Sequence, residues 1–529
     1  MLQSYATQAT LPAGIALRRH GPRIRAGDRR RMRNTSMRKI EMTRRAFVGA
    51  LAAAPLLAQD DAWVELFNGR NLDGWRPQAK PDSWKVVDGQ LCADGPMCHL
   101  FYDGAVRNAD FKNFELEVEA MAGPNSNSGV YFHTAYQDTG WPGKGFEIQI
   151  NNTQVRERKK TGSLYNLRNI YKQFVTDNEW FKLHVAVRGK SIQVRLNGML
   201  VVDYVEPTPP VIPPGMEKER RLAHGTFALQ CHDPGSKAFF RRLRVRPLPD
   251  DLATPGGAAP AADDTFKRII DLGVRGYPML DLHVHLSGGM TLEQAVAKSL
   301  RDGIQYGLAV NGGQGNMVTD DDGARRFIER VKGRPVFVAM QAEGREWIHM
   351  FSKSAVSLFD YVFTDSMTWT DNRGKRMRTW IAAEVGAIPD PQEFMDTLVD
   401  RAVGILEREP VDIYVNPTYL PDQIAADYET LWTEERRKKV IAAAAKNSVA
   451  IEINNRYKLP SPSFIKMAKE AGCKFTFGTN NTRASDLGRC EYGLQMIEAC
   501  RLQAGDFWVP LAPGSTKAVE RKGDILRKA

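Results

Sequence analysis

The chain has 529 residues, 43% of them hydrophobic and 26% charged, with a formal net charge of +11. That length exceeds a single ordinary core and implies two or three domains. The charge does not make a nucleic-acid protein: residues 1–45 hold twelve Lys and Arg against Asp28 and Glu41, so the remainder is nearly neutral and offers no basic surface.

Residues 1–58 read as a leader. Thr43-Arg44-Arg45-Ala46-Phe47-Val48 runs into the apolar stretch Gly49–Ala58. Paired arginines before a short apolar segment resemble a twin-arginine signal peptide, and the segment is too short for a spanning helix. The expected partner is the twin-arginine export machinery of a bacterium, with no stable membrane span after processing and a periplasmic or secreted product. Cleavage is expected near Ala58, with Met37 or Met42 as alternative starts.

Residues 62–248 read as all-β. Alternating runs recur at Trp84–Leu91, Phe114–Met121, Gly129–His133, Phe146–Asn151, Trp180–Val187, Ile192–Leu196, Gly225–Gln230 and Arg241–Val245. Many short strands without helices between them predict a sandwich or jelly roll. Asn197-Gly198 marks a hairpin, because both residues tolerate positive φ.

Residues 249–264 are rich in Pro, Ala and Gly and predict a linker with almost nothing to bury. Over 265–510 the pattern changes to strand and helix in alternation. Strands are expected at Met279–His285, Tyr306–Asn311, Val336–Glu343, Tyr361–Asp365, Asp412–Asn416, Val449–Asn454 and Lys474–Asn480. Amphipathic helices fall between them, which predicts a parallel α/β barrel. Residues 511–529 read as a basic tail. Six cysteines form no Cys-x-x-Cys pair and no zinc-ribbon spacing, so isolated thiols are expected, with a local Cys92–Cys98 disulfide as the alternative.

Three segments carry the chemistry of the first domain: NSNSGVYFH at 125–133, GFEIQI at 145–150 and TGSLY at 161–165. Period-two alternation places His133, Glu147 and Gln149 on one sheet face while Val130, Phe132, Ile148 and Ile150 pack on the other. With ELFNGRNLDGW at 65–75 and LQCH at 229–232, the segment 62–248 resembles the 3-keto-disaccharide hydrolase family, whose fold is related to concanavalin-like lectins. The resemblance implies a jelly-roll or concanavalin-like sandwich and a 3-keto-glycoside substrate. It marks Asn127, His133, Glu147, Gln149, Tyr165, Gln230 and His232 as the polar positions, although family members often carry Arg where this chain has His133. A ketone at sugar carbon 3 acidifies the carbon-2 hydrogen, so a base, an electrophile at the enolate oxygen and an acid at the leaving oxygen are needed. Glu147 is expected as the base, His133 or His232 as the electrophile and Tyr165 as the acid, with Asn127, Gln149 and Gln230 binding substrate. A metal held by some of these groups would serve the enolate equally well. A structural alternative pairs Glu147 with an arginine such as Arg168.

The second domain opens on Asp281-Leu282-His283-Val284-His285, two histidines on one face of a strand. This resembles the PHP (polymerase and histidinol phosphatase) superfamily and implies a (β/α)7 PHP-like barrel with an eroded metal site, which holds either a single divalent metal or none. The expected ligands are His283, His285, Glu343 and Asp365, with zinc, manganese or calcium as the cofactor and no nucleotide cofactor. Asn311 and Asn480 stand where that superfamily usually places metal-binding side chains, so a full three-metal centre is not expected.

The sequence therefore predicts an exported enzyme that cleaves 3-keto-glycosides by proton abstraction and expulsion of the aglycon, with 59–250 sufficient for that release. Two other readings stand beside it. One is a carbohydrate-binding sandwich attached to a separate PHP-like metallohydrolase, the other a non-catalytic carbohydrate-binding surface protein.

Overall fold

The structure, a computed structural model, describes residues 62–215, 220–259, 261–370 and 375–528. The expected leader, with Arg44, Arg45 and the cleavage expected near Ala58, lies outside the described residues. No helix among those described is long and apolar enough to cross a membrane.

Strands between Val64 and Leu248 form two antiparallel sheets. The larger runs Met199–Val205, Ser191–Leu196, Phe181–Arg188, Asn113–Ala122, Lys237–Leu248, Gln90–Asp94 and Trp84–Val87, with Val64–Glu65 also pairing with Lys237–Leu248. The smaller runs Trp75–Pro77, Cys98–Tyr102, Thr226–Cys231, Ser128–Thr134 and Phe146–Ile150. Phe114, Leu116, Val185 and Val245 of the first sheet and Val130, Ile148 and Leu229 of the second share one buried core, so every second residue of the smaller sheet is free to face away from it. The run Trp84–Leu91 is broken at the turn signal Asp88-Gly89, where Asp88 (φ 50°) and Gly89 (φ 76°) turn the chain back into a hairpin. Asn197 (φ 47°) and Gly198 (φ 88°) make the second hairpin where it was predicted.

The second region holds seven parallel strands in chain order: Leu280–His285, Gln305–Gly312, Phe337–Ala342, Tyr361–Thr364, Ile413–Tyr414, Ala450–Asn454 and Phe475–Gly478. Asn480 N donates to His283 O at 2.9 Å, which brings the last strand end beside the first and curves the sheet into a barrel-like form. The covering helices have the caps their sequences announce. Thr291 and Gln294 form a capping box at Leu292–Asp302, Asp320 caps Asp321–Val331, and Asp390 caps Pro391–Arg408.

Both boundary stretches lead into packed elements. The linker ends in the helix Asp264–Val274, whose Ile270 packs into the sandwich core and whose Ile269 and Leu272 pack into the barrel core. The basic tail is a docked element: Ala518, Val519 and Leu526 are buried, and Ala518 N donates to Asp412 Oδ1 at 2.7 Å. In both cases a few apolar residues inside a polar stretch suffice to seat it. All six cysteines are thiols.

The sandwich docks on the barrel through residues 158–172. Arg158 Nη1 donates to Ala504 O at 2.9 Å, Arg168 Nη2 to Arg301 O at 3.0 Å, and Gln305 Oε1 accepts from Tyr171 N at 2.9 Å. Lys172 Nζ reaches Val336 O at 3.2 Å. Gln305 and Val336 stand at the N-terminal ends of their strands, so the sandwich covers the floor of the barrel and leaves its C-terminal mouth clear. Arg168 is buried here with its guanidinium 5.0 Å from the Tyr204 and Phe266 rings, and it is not the partner of Glu147.

Candidate active site

The outward face of the five-stranded sheet carries a cavity of about 620 Å³. Phe146, Ile148 and Ile150 point into the core, so Glu147 and Gln149 of the same strand point into the cavity, as period two predicts. Tyr131 and Gln230 project from the neighbouring strands to the same place. Of the seven residues expected from sequence, Asn127, Glu147, Gln149, Tyr165, Gln230 and His232 line this one cavity.

His133 does not. Thr226 pairs with Thr134 and Ala228 with Tyr131, so Phe132 and His133 together oppose Phe227, an extra residue in the strand. His133 takes up that extra residue at φ 54° and its side chain leaves the alternation. Its Nε2 bonds Lys112 O at 2.8 Å and its Nδ1 accepts from Ala223 N at 3.3 Å, while the ring packs against Phe114 and Phe132. Burial pushes its pKa down to about 4, so the ring is neutral. Gly145 and Gly225 make room for the bulge, since a Cβ on either would fall within 2.3 Å of the carbonyl oxygen of Phe132 or Thr134. The bulge makes His133 a structural residue, not the electrophile.

Glu147 is 7% exposed. Its Oε1 accepts from Gln230 Nε2 at 3.1 Å, and the same amide reaches the Tyr131 hydroxyl at 2.9 Å. Burial raises the Glu147 pKa, opposed by hydrogen bonding from Tyr131 and by the charge of Arg220. Arg220 lines the cavity, is 8% exposed, and its Nε and Nη1 have no hydrogen-bond partner among the described residues. A buried guanidinium with idle donors is a standing demand for an acceptor, which a ligand oxygen would meet.

Two more pairs flank these groups. His232 Nδ1 lies 2.7 Å from Asp233 Oδ2, which leaves its other nitrogen available. Burial alone would raise Asp233, but hydrogen bonds from His232, Gly235 N and Ser236 hold it below the usual carboxylate range. Tyr165 donates to Glu157 Oε2 at 2.8 Å, and burial followed by the Glu157 charge raises the Tyr165 pKa, so the hydroxyl keeps its proton. Gln149 Nε2 donates to Asn127 Oδ1 at 3.0 Å and Asn127 N to Ser236 Oγ at 2.9 Å, a polar chain along one wall. Sequence reading missed Tyr131, Arg220, Glu157 and Asp233. Tyr131 was findable, being two residues from His133 on an alternating strand. Arg220 follows a Pro-rich loop with no periodicity to place it.

A second cavity, of about 330 Å³, opens at the C-terminal ends of the parallel strands and is lined by His285, Glu343 and Asp365. His283 lies beneath it, with Nδ1 2.6 Å from Glu452 Oε1 and Nε2 3.3 Å from Gln341 Oε1. Glu343 accepts from Asn311 Nδ2 and Thr368 Oγ1, both at 3.1 Å, and Asp365 accepts from Met367 N at 2.9 Å and Asn416 Nδ2 at 3.0 Å. Burial, then the charge of Asp365, pushes Glu343 up to about 7. Asn416 and Asn480 sit at φ 48° and 53°, a backbone conformation asparagine tolerates well, so these strand ends favour Asn for backbone reasons as well. The expected metal ligands do not fit a cation in this arrangement. The Nε2 of His283 faces Gln341 Oε1, the carboxylates already accept donors, and no group of three or more His, Cys, Asp and Glu among the described residues has metal-holding geometry.

Residues 62–246 match the sequence family described as a 3-keto-alpha-glucoside-1,2-lyase-like domain. A 3-keto-disaccharide hydrolase of Bacteroides thetaiotaomicron is 24% identical over 135 residues, which is 24% of this chain and 46% of that protein, so the match spans about half the relative's length. A solved structure described as a glycosyl hydrolase of Parabacteroides distasonis is 19% identical, covering 35% of this chain and 94% of its own, with a TM-score of 0.29. Histidinol phosphate phosphatase of Lactococcus lactis is 13% identical, covering 42% of this chain and 94% of its own, with a TM-score of 0.32.

Proposed function

We propose that the sandwich cleaves 3-keto-glycosides, with Glu147 as the base. The observation that carries this reading is the pairing, in one cavity, of a buried carboxylate of raised pKa with a buried guanidinium whose Nε and Nη1 are idle. A raised carboxylate pKa makes a stronger base, and a fixed cation favours charge that develops on a substrate oxygen.

In this scheme Glu147 takes the proton from carbon 2 and the electron pair moves onto the carbon-3 oxygen, where the idle N–H groups of Arg220 stabilise the charge, joined by His232 when its ring carries both protons. The enolate then collapses, the carbon-1 to oxygen bond breaks, and the leaving oxygen takes the Tyr165 proton. Water adds across the resulting double bond: its hydroxyl goes to carbon 1, Glu147 returns its proton to carbon 2, and the remaining water proton restores Tyr165. If the product leaves before water adds, the same residues act as a 1,2-lyase. The chain Gln149–Asn127 offers amide groups for sugar hydroxyls.

The test is release of the aglycon from a 3-keto-glucoside by the whole protein. Wild type is expected to turn over, and Glu147→Gln to lose about 10²–10⁴ in rate while still binding an unreactive analogue. Turnover unchanged in Glu147→Gln removes this carboxylate from the role. Analogue binding without turnover in the wild type supports the sugar-binding module instead.

A further inference from the structure

We propose that the barrel mouth is a metal-independent pocket for a neutral polyhydroxylated ring, a monosaccharide or cyclitol. The two carboxylates that would make a cation site already hold uncharged donors, and that disagreement is the starting point. Glu343 accepts from Asn311 and Thr368, Asp365 from Asn416 and the Met367 amide, and His283 is held between Glu452 and Gln341. A metal would have to share both carboxylates with the donors they already hold and break the contacts of an imidazole that is 1% exposed.

The same wall suits a polyol. Asn311, Gln341, Asn416 and Asn480 each carry an amide, and Glu343 Oε1 and both oxygens of Asp365 can accept a hydroxyl proton beside the amide N–H they already hold, the alternation that neighbouring ring hydroxyls require. Trp380 lines the cavity at 41% exposure and Tyr457 lines it as well, supplying aromatic faces for the C–H side of a ring. The volume of about 330 Å³ suits a single ring. A phosphoester fits poorly, because Glu343 and Asp365 are acidic walls and the cation lining this cavity, Arg456, is exposed.

The pocket is separate from the sandwich cavity. The sandwich docks at the N-terminal strand ends through Gln305 and Val336, whereas the pocket opens at the C-terminal ends. The inference therefore stands whether or not Glu147 is catalytic.

The experiment is calorimetric titration of the full chain with D-glucose, myo-inositol, glucose 6-phosphate and inorganic phosphate, before and after dialysis against EDTA, with metal content measured. Saturable binding of a neutral probe is expected, unchanged by EDTA, and about fivefold weaker in Trp380→Ala for loss of one ring-stacking contact. Asn311→Ala should weaken it too, and the exposed position of Trp380 keeps that variant foldable. Stoichiometric zinc or manganese lost in Glu343→Gln would overturn the proposal. So would tighter binding of the phosphorylated probe, no saturation by either neutral probe, or neutral binding that both variants leave intact, which would place it in the sandwich.

Discussion

A Cβ built on Gly129 would stand 2.6 Å from Oε1 of Glu147. The glycine lies under the carboxylate, and the space it leaves is what lets Glu147 lie against Gln230 and Tyr131. Its φ is not in the left-handed region, so alanine has no backbone penalty there. Gly129→Ala is thus expected to push the carboxylate aside by about 1 Å with little loss of stability, which typically costs about 10² in rate. The check is kcat/KM on a 3-keto-glucoside beside a melting curve. Activity retained at the wild-type level would mean that Glu147 has no positional demand.

The acid limb of the pH–rate profile should report the same carboxylate. Glu147 must be ionised to take a proton, and burial raises its pKa above the ordinary 4.5, so kcat/KM is expected to fall as pH drops through a midpoint above that value. The positive charge of Arg220 works in the opposite direction, holding the pKa down. Arg220→Met should therefore move the acid limb to higher pH and cut the rate by about 10²–10³, the range for removing a preorganised group that stabilises developing charge. A rate loss with an unmoved limb would separate Arg220 from Glu147.

For His133 the expectation is loss of stability with activity per folded molecule retained. Replacing it by alanine leaves the part-buried Lys112 O and Ala223 N without their partner, at a cost of about 1 kcal/mol for each hydrogen bond lost. The ring also carries a pH dependence. Its folded pKa of about 4 lies below the ordinary histidine value of 6.5, so between those values the unfolded chain binds a proton that the folded chain refuses. The stability it contributes is full above pH 6.5 and drains away as pH falls toward 4. Denaturant titrations at pH 7.5 and 4.5 should show a smaller difference in His133→Ala than in wild type. A catalytic defect without a stability defect would restore His133 to the reaction.

Much of this architecture was legible because it rests on period and punctuation. Alternation along Phe146–Ile150 is enough to put Glu147 and Gln149 on one face, and parallel strands flanked by capped helices bring His285, Asn311, Glu343 and Asp365 to one end of the barrel-like sheet. What escaped depends on single insertions and on tertiary partners. One extra residue opposite Phe227 turned His133 out of register, and nothing in the string NSNSGVYFH marks it. Arg220 enters the cavity from a loop, where no periodicity constrains direction. The metal expectation at His283 came from local spacing, whereas the fate of that ring is decided by Glu452, 169 residues away.

The floor of the barrel also reaches the reacting groups. Glu157 and Tyr165, which hold one another at 2.8 Å, belong to the stretch that Arg158 ties to Ala504 O and that Tyr171 ties to Gln305. Sequence reading makes 59–250 sufficient for catalysis, but here the barrel supports the segment that carries the proposed acid. In the full chain, Arg158→Ala removes one charge-assisted hydrogen bond and leaves every cavity side chain in place. We expect kcat to drop by up to about tenfold, since small misplacements of a reacting group are expensive, with KM nearly unchanged. Arg158→Lys, which can still reach a carbonyl as a single donor, should recover part of the loss. Kinetics of the two variants on a 3-keto-glucoside decide the matter. If Arg158→Ala matches wild type in kcat, the barrel does not position the Tyr165 segment and the sandwich is self-sufficient.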